Sequence, residues 1–379
     1  MTDSLIEKSP LFVPWTDPKS GVVSYLLDRR AAPLQQSFYF TIDSFACGGR
    51  YLWFYAAFPP GADAYYGRQL AVVDLLENEV RLFPETQFTD ASPGVDLATG
   101  EVYWTTMLGL YKRGPRPEDE TVPVNAFPAE LARNRRPLRI ATHLTRSADG
   151  ASFAIDATLG REWFLGDMPV DGGPFRLWQK LDRGYNHAQF SPTDPDLILV
   201  AQDGWHDCAT GEKCEAEDRI WLIRRGGEAY SLFPNAPSND RGHEWWGADG
   251  RNVWYIHYGK GVARVPTEGG EVEIVWPFEK VSHAHVDAAE KYIVGDAVPH
   301  DLTESRVAFL NRETGRSIDI VSHLPYPEPV MSSWKSKYHV HPHPRFCVED
   351  RYIVYTTTVR GVVDVAVTPV AALVAQTQP

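Results

Sequence analysis

The feature that most constrains the fold of this chain is a repeated unit, a small or acidic turn followed by a short run of aromatic and β-branched residues. The unit occurs seven times, with turns at Gly49, Gly100, Gly150, Asp194, Gly250, Glu290 and Asp350. By subtraction these turns are 51, 50, 44, 56, 40 and 60 residues apart, a mean of about 50. That period is typical of one four-stranded sheet per repeat. Gly, Asp and Asn favour the turns, and Val, Ile, Tyr and Trp favour the strands.

The repeat predicts an all-β fold, a seven-bladed β-propeller, in which residues 1–379 form a single domain with blades of about 50 residues. Two unrelated β-domains are the alternative. Helical periodicity is scarce, and the best short helix candidate is VNAFPAELARN around Ala129. We interpret the Pro-rich segment Arg113–Pro128 as an insertion between blades that helps to build the mouth of a site.

Composition and charge exclude several classes of protein. The hydrophobic content of 43% is ample for a core, and the net charge of -13 argues against nucleic-acid binding, which needs a basic face. An acidic ligand would need a local group of cations or a metal. The start, MTDSLIEKSPLFVPW, lacks the pattern of a signal peptide, and no apolar run reaches membrane-spanning length. Cys47, Cys208, Cys214 and Cys347 match no zinc framework, so we expect reduced thiols in a cytoplasmic protein, with a pairing of Cys208 and Cys214 as the alternative.

Histidines cluster in the second part of the chain, just before the repeat turns. His187, His243, His283 and His341 lie in similar contexts, so we expect them to converge near one end of the propeller channel. The segment YHVHPHPRF also places His339, His341 and His343 at alternate positions, which share one face of an extended chain. Converging imidazoles suit a divalent metal of the borderline class. The alternative is a structural role in packing between the blades.

These blocks resemble the oligogalacturonate lyases, also called pectate disaccharide-lyases. The similar segments follow in the same order along most of the chain: QQSFYFTIDSFACGGRYLWFYAAF, NHAQFSPTDPDLILVAQDGWHD, DRIWLI, GHEWWGADGRNVWYI, SHAHVDAAEKYIVGD and HPHPRFCVEDRYIVYTT. The resemblance implies a seven-bladed propeller that binds manganese and cleaves the uronate oligosaccharides of pectin by β-elimination.

The resemblance also implies roles for single residues. His283, His341 and His343 match the family's histidine metal ligands, and His243 matches its Brønsted base. Arg219 matches an arginine associated with substrate. The family's fourth ligand is a glutamine, and this sequence has Tyr338 at that position. Either His339 or a water could complete the metal shell, and Tyr338 could instead act on the leaving-group oxygen.

Three further residues are predicted sugar contacts. Trp246 offers a ring that can stack on a sugar face, and His187 and His206 offer polar groups that fix its orientation. Packing between blades is the alternative for Trp246. We expect Glu244 to have a structural role, because neighbouring residues of a strand point to opposite sides.

The predicted function is that of a polysaccharide lyase acting on short, acidic, uronic-acid-containing oligosaccharides. Removal of the C5 proton next to the carboxylate expels the C4 oxygen and gives a 4,5-unsaturated uronate. A cation, which we expect to be manganese, would stabilise the developing enolate. Two alternatives remain open. One is a metal-dependent propeller hydrolase such as a lactonase, and the other is a non-catalytic propeller scaffold of the TolB or WD-repeat kind.

Overall fold

Seven small antiparallel sheets form a ring in this computed structural model, which describes residues 5–207, 209–298, 305–326 and 337–379. The predicted seven-bladed β-propeller is therefore confirmed. In a propeller the strand order of each blade runs from the central axis outward.

The strands follow in chain order. The N-terminal hairpin contains β1 (Phe12–Thr16) and β2 (Val23–Leu27). Blade 1 contains β3 (Leu34–Gln36), β4 (Phe45–Ala46), β5 (Tyr51–Ala57), β6 (Tyr66–Asp74) and β7 (Glu79–Thr89). Blade 2 contains β8 (Gly94–Val95), β9 (Val102–Thr105), β10 (Gly109–Arg113) and β11 (Val122–Ala126). Blade 3 contains β12 (Ser152–Leu159), β13 (Glu162–Pro169) and β14 (Arg176–Leu181).

The second part of the chain continues the pattern. Blade 4 contains β15 (Gly184–Phe190), β16 (Leu197–Asp203), β19 (Ile220–Arg224) and β20 (Ala229–Ser231), with an inserted hairpin of β17 (Trp205–His206) and β18 (Lys213–Cys214). Blade 5 contains β21 (Arg241–Trp246), β22 (Asn252–His257), β23 (Gly261–Pro266) and β24 (Glu273–Trp276). Blade 6 contains β25 (Val281–Val286), β26 (Tyr292–Ala297), β27 (Arg306–Asn311) and β28 (Arg316–Val321). Blade 7 contains β29 (Arg345–Cys347), β30 (Tyr352–Thr357) and β31 (Asp364–Pro369).

The two ends of the chain meet in blade 7. Strand β2 pairs with β31, and β1 pairs with β2, so the N-terminal hairpin forms the outer edge of the sheet that β29, β30 and β31 begin. Ser24 Oγ and Thr368 Oγ1 lie 2.7 Å apart across this junction. The pairing closes the ring through backbone hydrogen bonds and leaves fewer unpaired strand edges.

All seven predicted turns connect the first and second strands of their blades. In blade 3 the place of the first strand is taken by residues 139–146, which make two isolated bridges to β12. Left-handed backbone torsions occur at several turns, with φ of 77° at Gly100 and 69° at Gly250, values that glycine adopts without steric cost. The repeat seen in the sequence is therefore the blade itself.

Within the described residues, three short α-helices accompany the sheets: α1 (Leu5–Lys8), α2 (Ala129–Ala132) and α3 (Val370–Gln376). The helix predicted around Ala129 is confirmed by α2. The interpretation of Arg113–Pro128 is wrong, because this segment lies inside blade 2, where it forms the connection from β10 and the strand β11. The reason is that its prolines occupy a turn and an outer edge strand, positions that need no ladder donor.

Two other expectations concern thiols and membranes. Cys47, Cys214 and Cys347 are free thiols, as predicted, and Cys208 lies outside the described residues. Among the helices of the described ranges, none has the length and apolar character needed to cross a membrane.

Candidate metal centre and axial cavity

The histidines that face the axis share one position in their blades. By subtraction, five histidines each precede the turn residue of their blade by seven positions: His143, His187, His243, His283 and His343. They belong to blades 3 to 7 in turn, so the ring brings them towards a common centre. The convergence expected from the repeat is present, with His143 as a member that the sequence analysis did not select.

β-Bulges turn these residues inward. The strand register shifts between Asn186 and Gln189 in blade 4 and between Gly242 and Trp245 in blade 5. The histidine in each bulge has a left-handed backbone, with φ of 55° at His187 and 49° at His243. Such torsions cost about 1–3 kcal/mol for a non-glycine residue and concentrate at functional sites. The bulges thus re-aim side chains that regular strands would direct elsewhere.

Four imidazoles form a compact cluster at the axis. One ligand atom from each of His283, His339, His341 and His343 lies within 4.8 Å of the others. Ring centroids are 4.3 Å apart for His283 and His343, and also 4.3 Å apart for His339 and His341. Blade 6 supplies one histidine, and the segment that leads into β29 supplies the other three.

Asp296, a buried residue of β26, holds two of these histidines in place. Its carboxylate accepts hydrogen bonds from the backbone N–H of His283 at 2.8 Å and of His343 at 3.1 Å. It also lies 3.1 Å from Nδ1 of the His283 ring. Burial raises the pKa of Asp296 to about 8, although the backbone hydrogen bonds lower it. Because Nδ1 is turned towards Asp296, the other nitrogen of His283 faces the cluster.

The cluster has the chemistry that a divalent metal requires. In the part of the chain that the structure describes, the buried Nε2 atoms of His283, His339 and His343 have no hydrogen-bond partner. Burial lowers the pKa of His283 and of His339 to about 3, so these imidazoles are neutral, which is the form that binds a metal. Metal–nitrogen distances of about 2.1 Å place opposite ligand atoms about 4.2 Å apart, close to the observed spread. These residues therefore fit a metal ion.

His243 lies directly beside the cluster. Its ring centroid is 4.2 Å from that of His283, and its Nδ1 is 3.3 Å from Oη of Tyr258. Burial lowers the pKa of His243 well below its ordinary value, and a backbone hydrogen bond with Ser282 opposes this effect. The imidazole is therefore neutral near pH 7 and has one ring nitrogen without a proton.

The axial cavity, of about 660 Å³, opens beside these imidazoles and is lined by His243, His339, His343, Arg219 and other residues. Its lining includes five cationic side chains, Arg68, Arg139, Lys213, Arg219 and Arg241, and three carboxylates, Asp90, Asp203 and Glu215. With histidines neutral, the excess is two positive charges in a protein of net charge -13. The local group of cations that an acidic ligand requires is present here.

Arg219 is held by two carboxylates. Its Nη1 pairs with Asp203 and its Nε lies 3.4 Å from Glu244. Glu244 is buried at 2% exposure. It is adjacent to His243 within the bulge, so both residues lie at the same site. The expectation of a purely structural role for Glu244 rested on strict strand alternation, and the bulge breaks that alternation.

The remaining predicted polar contacts also line the axial cavity. The Nδ1 of His187 donates a 2.6 Å hydrogen bond to Oδ1 of Asn186, and His206 is an exposed residue of the inserted hairpin. Two residues that the sequence analysis missed join them. The Tyr39 ring stacks at 4.7 Å on His143, which in turn lies 4.9 Å from His187. The position of His143 seven residues before Gly150 could have identified it, whereas Tyr39 carries no such signal.

No protein-family model matches the chain. Over 206 residues, 48% of the chain, it is 23% identical to an oligogalacturonate lyase of Dickeya dadantii (strain 3937), and the match spans about half of that relative, 49%. An oligogalacturonate lyase in complex with manganese has a TM-score of 0.71 and 17% identity, with coverage of 94% of this chain and 96% of the other. An oligogalacturonate lyase from Vibrio parahaemolyticus has the same TM-score of 0.71 and identity of 17%, with coverage of 95% and 96%. The chain resembles the oligogalacturonate lyases in sequence and in fold.

Tyr338, the residue at which we expected this chain to depart from the oligogalacturonate lyases, lies in an apolar environment. Its side chain is 7% exposed and packs in an apolar cluster with Leu34, Ala57 and Val340. His339, the next residue, turns its ring into the imidazole cluster through a left-handed backbone with φ of 48°. Tyr338 is not among the residues that line the axial cavity, and its contact with substrate stays a prediction.

Trp246, the predicted stacking residue, lies outside the axial cavity. It lines a second cavity, of about 790 Å³, which is bordered by the blade turns around Gly49 and Asp350 and does not share the imidazole cluster. The indole Nε1 of Trp246 donates a 3.0 Å hydrogen bond to the carbonyl of Gln189 in blade 4. Trp246 thus joins blades 4 and 5 and does not line the axial cavity, and its role as a sugar contact stays a prediction.

Proposed function

We propose that this chain is a metal-dependent lyase that cleaves short uronic-acid-containing oligosaccharides, such as oligogalacturonates, by β-elimination. The observation that carries the proposal is the four-imidazole cluster with His243 beside it and Arg219 in the same cavity. The similarity to oligogalacturonate lyases in sequence and fold supports it. The product would carry a 4,5-unsaturated uronate.

Charge stabilisation is the first requirement of this chemistry, because a C5 proton next to an anionic carboxylate is very weakly acidic. A bound divalent ion, with manganese as the first candidate, would supply a cation that stabilises the developing enolate. The residues that would hold it are His283, His339, His341 and His343. Arg219 would bind the substrate carboxylate through Nη2, since its other two nitrogens face Asp203 and Glu244.

Proton transfer is the second requirement. His243 is the proposed base, because its imidazole is neutral, borders the axial cavity and lies beside the cluster. Tyr258 orients the ring through the contact of 3.3 Å between its hydroxyl and Nδ1. The oxygen that leaves C4 needs a proton, and the phenols beside the imidazoles belong to Tyr39 and Tyr258.

The test is to incubate the purified protein with manganese and digalacturonate and to follow near-ultraviolet absorbance, which reports the new double bond. His243→Ala should lower the rate by about 10²–10⁴, the usual contribution of a general base. His257→Ala is the matched control, because His257 is a buried histidine of the same blade that does not line the axial cavity.

An active His243→Ala variant would show that another group is the base. New reducing ends without ultraviolet absorbance would show a hydrolase instead of a lyase. If no oligouronide is cleaved and manganese does not bind, the proposal as a whole fails.

A further inference from the structure

Arg68 is a buried arginine without a carboxylate partner. The residue is 6% exposed, and in the described part of the chain no carboxylate oxygen lies within 4.0 Å of its guanidinium. Its Nη2 donates to the backbone carbonyls of Ala64 at 2.9 Å and Asp90 at 2.8 Å. Its Nε is buried and makes no hydrogen bond with a described residue. Buried charges in proteins are normally paired, so this arrangement is costly without a ligand.

Arg113 provides an internal comparison. It is also buried, at 4% exposure, and its guanidinium lies over the Phe83 ring at 3.4 Å. The guanidinium of Arg68 lies over the ring of Tyr55 at 4.4 Å in a similar way. The difference is the counter-ion, because Arg113 pairs with Glu85. Aromatic stacking therefore accompanies an ion pair at Arg113, whereas Arg68 has the stacking without an ion pair to a described residue.

The surroundings of Arg68 are cationic. Arg139 Nη1 lies 3.1 Å from Asp90 Oδ2, and the Nε of Arg139 is buried and has no partner among the described residues. One carboxylate, that of Asp90, thus serves a site with two guanidinium groups. Asp63, the other nearby acid, accepts hydrogen bonds from the backbone N–H groups of Tyr65 and Tyr66. The charge of Arg68, Arg139 and Asp90 together is +1.

The same three residues line the axial cavity, together with Arg219, His339 and His343. The distribution of charge therefore has two centres, one at Arg219 beside the imidazole cluster and one at Arg68 and Arg139. An anion that reaches Arg68 would find an unsatisfied Nε donor and a stacked, pre-oriented guanidinium.

We propose that Arg68, assisted by Arg139, forms a second carboxylate-binding subsite in the axial cavity. The ligand is the carboxylate of the uronate next to the residue that loses its C5 proton, so the substrate must carry two neighbouring carboxylates. The inference rests on the proposed function, because it assigns the first carboxylate to Arg219 and the metal centre. A substrate with a neutral neighbouring sugar would leave Arg68 uncompensated and would be rejected.

The experiment measures binding, and turnover is prevented by the His243→Ala background. Calorimetric titrations with manganese present would compare digalacturonate with monomeric galacturonate. Arg68→Met removes the charge and keeps the length of the side chain. It should weaken digalacturonate binding roughly 10- to 150-fold, the range expected for a lost hydrogen bond to a charged group, and leave galacturonate binding unchanged.

Arg113→Met is the matched control for burial and aromatic stacking, and it should leave the affinity for both ligands unchanged. Equal affinity of Arg68→Met and its parent for digalacturonate would overturn the proposal. An equal loss for monomer and dimer would also overturn it, because Arg68 would then hold the first carboxylate.

Two further measurements separate a loss of carboxylate binding from a loss of protein stability. In thermal unfolding without sugar, Arg113→Met should be destabilised more than Arg68→Met, since only the former loses an ion pair and leaves a carboxylate, Glu85, without its partner. With the His243→Ala protein, digalacturonate methyl-esterified at one carboxylate should bind as weakly as digalacturonate binds to Arg68→Met. Tight binding of both monoesters would refute a second carboxylate subsite even if the protein is a lyase. Normal binding selectivity without lyase activity would refute the proposed function alone.

Discussion

Replacement of Asp296 by Asn tests whether the imidazole cluster is a metal centre positioned by a buried carboxylate. The two oxygens of Asp296 accept from two backbone N–H groups and face the Nδ1 of His283 at 3.1 Å. In Asp296→Asn one oxygen is replaced by an amide NH₂, a donor. At least one of the N–H groups of His283 and His343 would then face another donor.

The magnitude follows from the number of ligands affected. Loss of an outer partner of a metal-bound histidine typically costs 10- to 100-fold in metal affinity, or about 1.4–2.8 kcal/mol. Asp296 contacts both His283 and His343, which are two of the four clustered residues. We therefore expect a loss near the upper end of that range.

Asp156 provides the matched control. It is a buried aspartate of β12, and it accepts hydrogen bonds from the backbone N–H of Thr142 at 2.6 Å and of Ala188 at 3.0 Å. It therefore links blades 3 and 4 as Asp296 links blades 6 and 7, but its partners are not members of the imidazole cluster. Asp156→Asn should lower the unfolding temperature without weakening the metal.

The assay is calorimetric titration of manganese into chelator-treated protein, with bound metal counted by elemental analysis. Equal manganese affinity for Asp296→Asn and the wild type would refute the reasoning, as would an equal loss in Asp156→Asn. Circular dichroism would establish that both variants are folded.

Two further predictions concern ligation and pH. In the same titration, His339→Ala should weaken the affinity for manganese at least about tenfold. Tyr338→Phe should leave that affinity unchanged, because Tyr338 packs in an apolar cluster. The opposite result would identify Tyr338 as the ligand. Burial raises the pKa of Asp74, but hydrogen bonds from Arg50, Arg81 and the backbone of Glu77, together with the charge of Arg50, outweigh it and leave the pKa below its ordinary value. The ionised Asp74 carboxylate therefore stabilises the folded state above pH ~4, and this stabilisation is lost as the pH falls through the folded-state pKa. Asp74→Asn should lower the urea midpoint of unfolding at neutral pH and lower it much less in acid. An effect of the same size at both pH values would contradict this prediction.

The sequence predicted the blades well because their signal is local. Each turn from Gly49 to Asp350 requires particular residues within a few positions, and the aromatic and β-branched residues that follow it indicate a buried strand. The imidazoles were also accessible, because a propeller converts equal positions in successive repeats into neighbours around one axis. Strict use of that register would have added His143 and would have favoured His343 over His341 as the equivalent of His283.

Residues that act across blades carry no comparable signal. Asp296 is one more small polar residue in a strand, and its role depends on a contact with a segment 47 positions later. Arg68 is ordinary in sequence, and only the structure reveals that it is buried without a carboxylate partner among the described residues. Trp246 shows the converse, because an aromatic residue near His243 in sequence lies beside a different cavity.

The bulge in β21 explains why sequence alternation fails at the most important point of the site. In a regular strand His243 and Glu244 would point to opposite faces, and only one could reach the axis. At the bulge, His243 has a left-handed backbone with φ of 49°, and the segment between the paired positions Gly242 and Trp245 holds one residue more than the facing strand. His243 therefore meets His283 while Glu244 meets Arg219, and one short segment supplies both the proposed base and the carboxylate that orients the proposed substrate-binding arginine. Deleting one of the two residues would restore regular alternation and separate these two contacts. The left-handed backbone at His243 is therefore needed for the geometry of the site, whereas the blade could form without it.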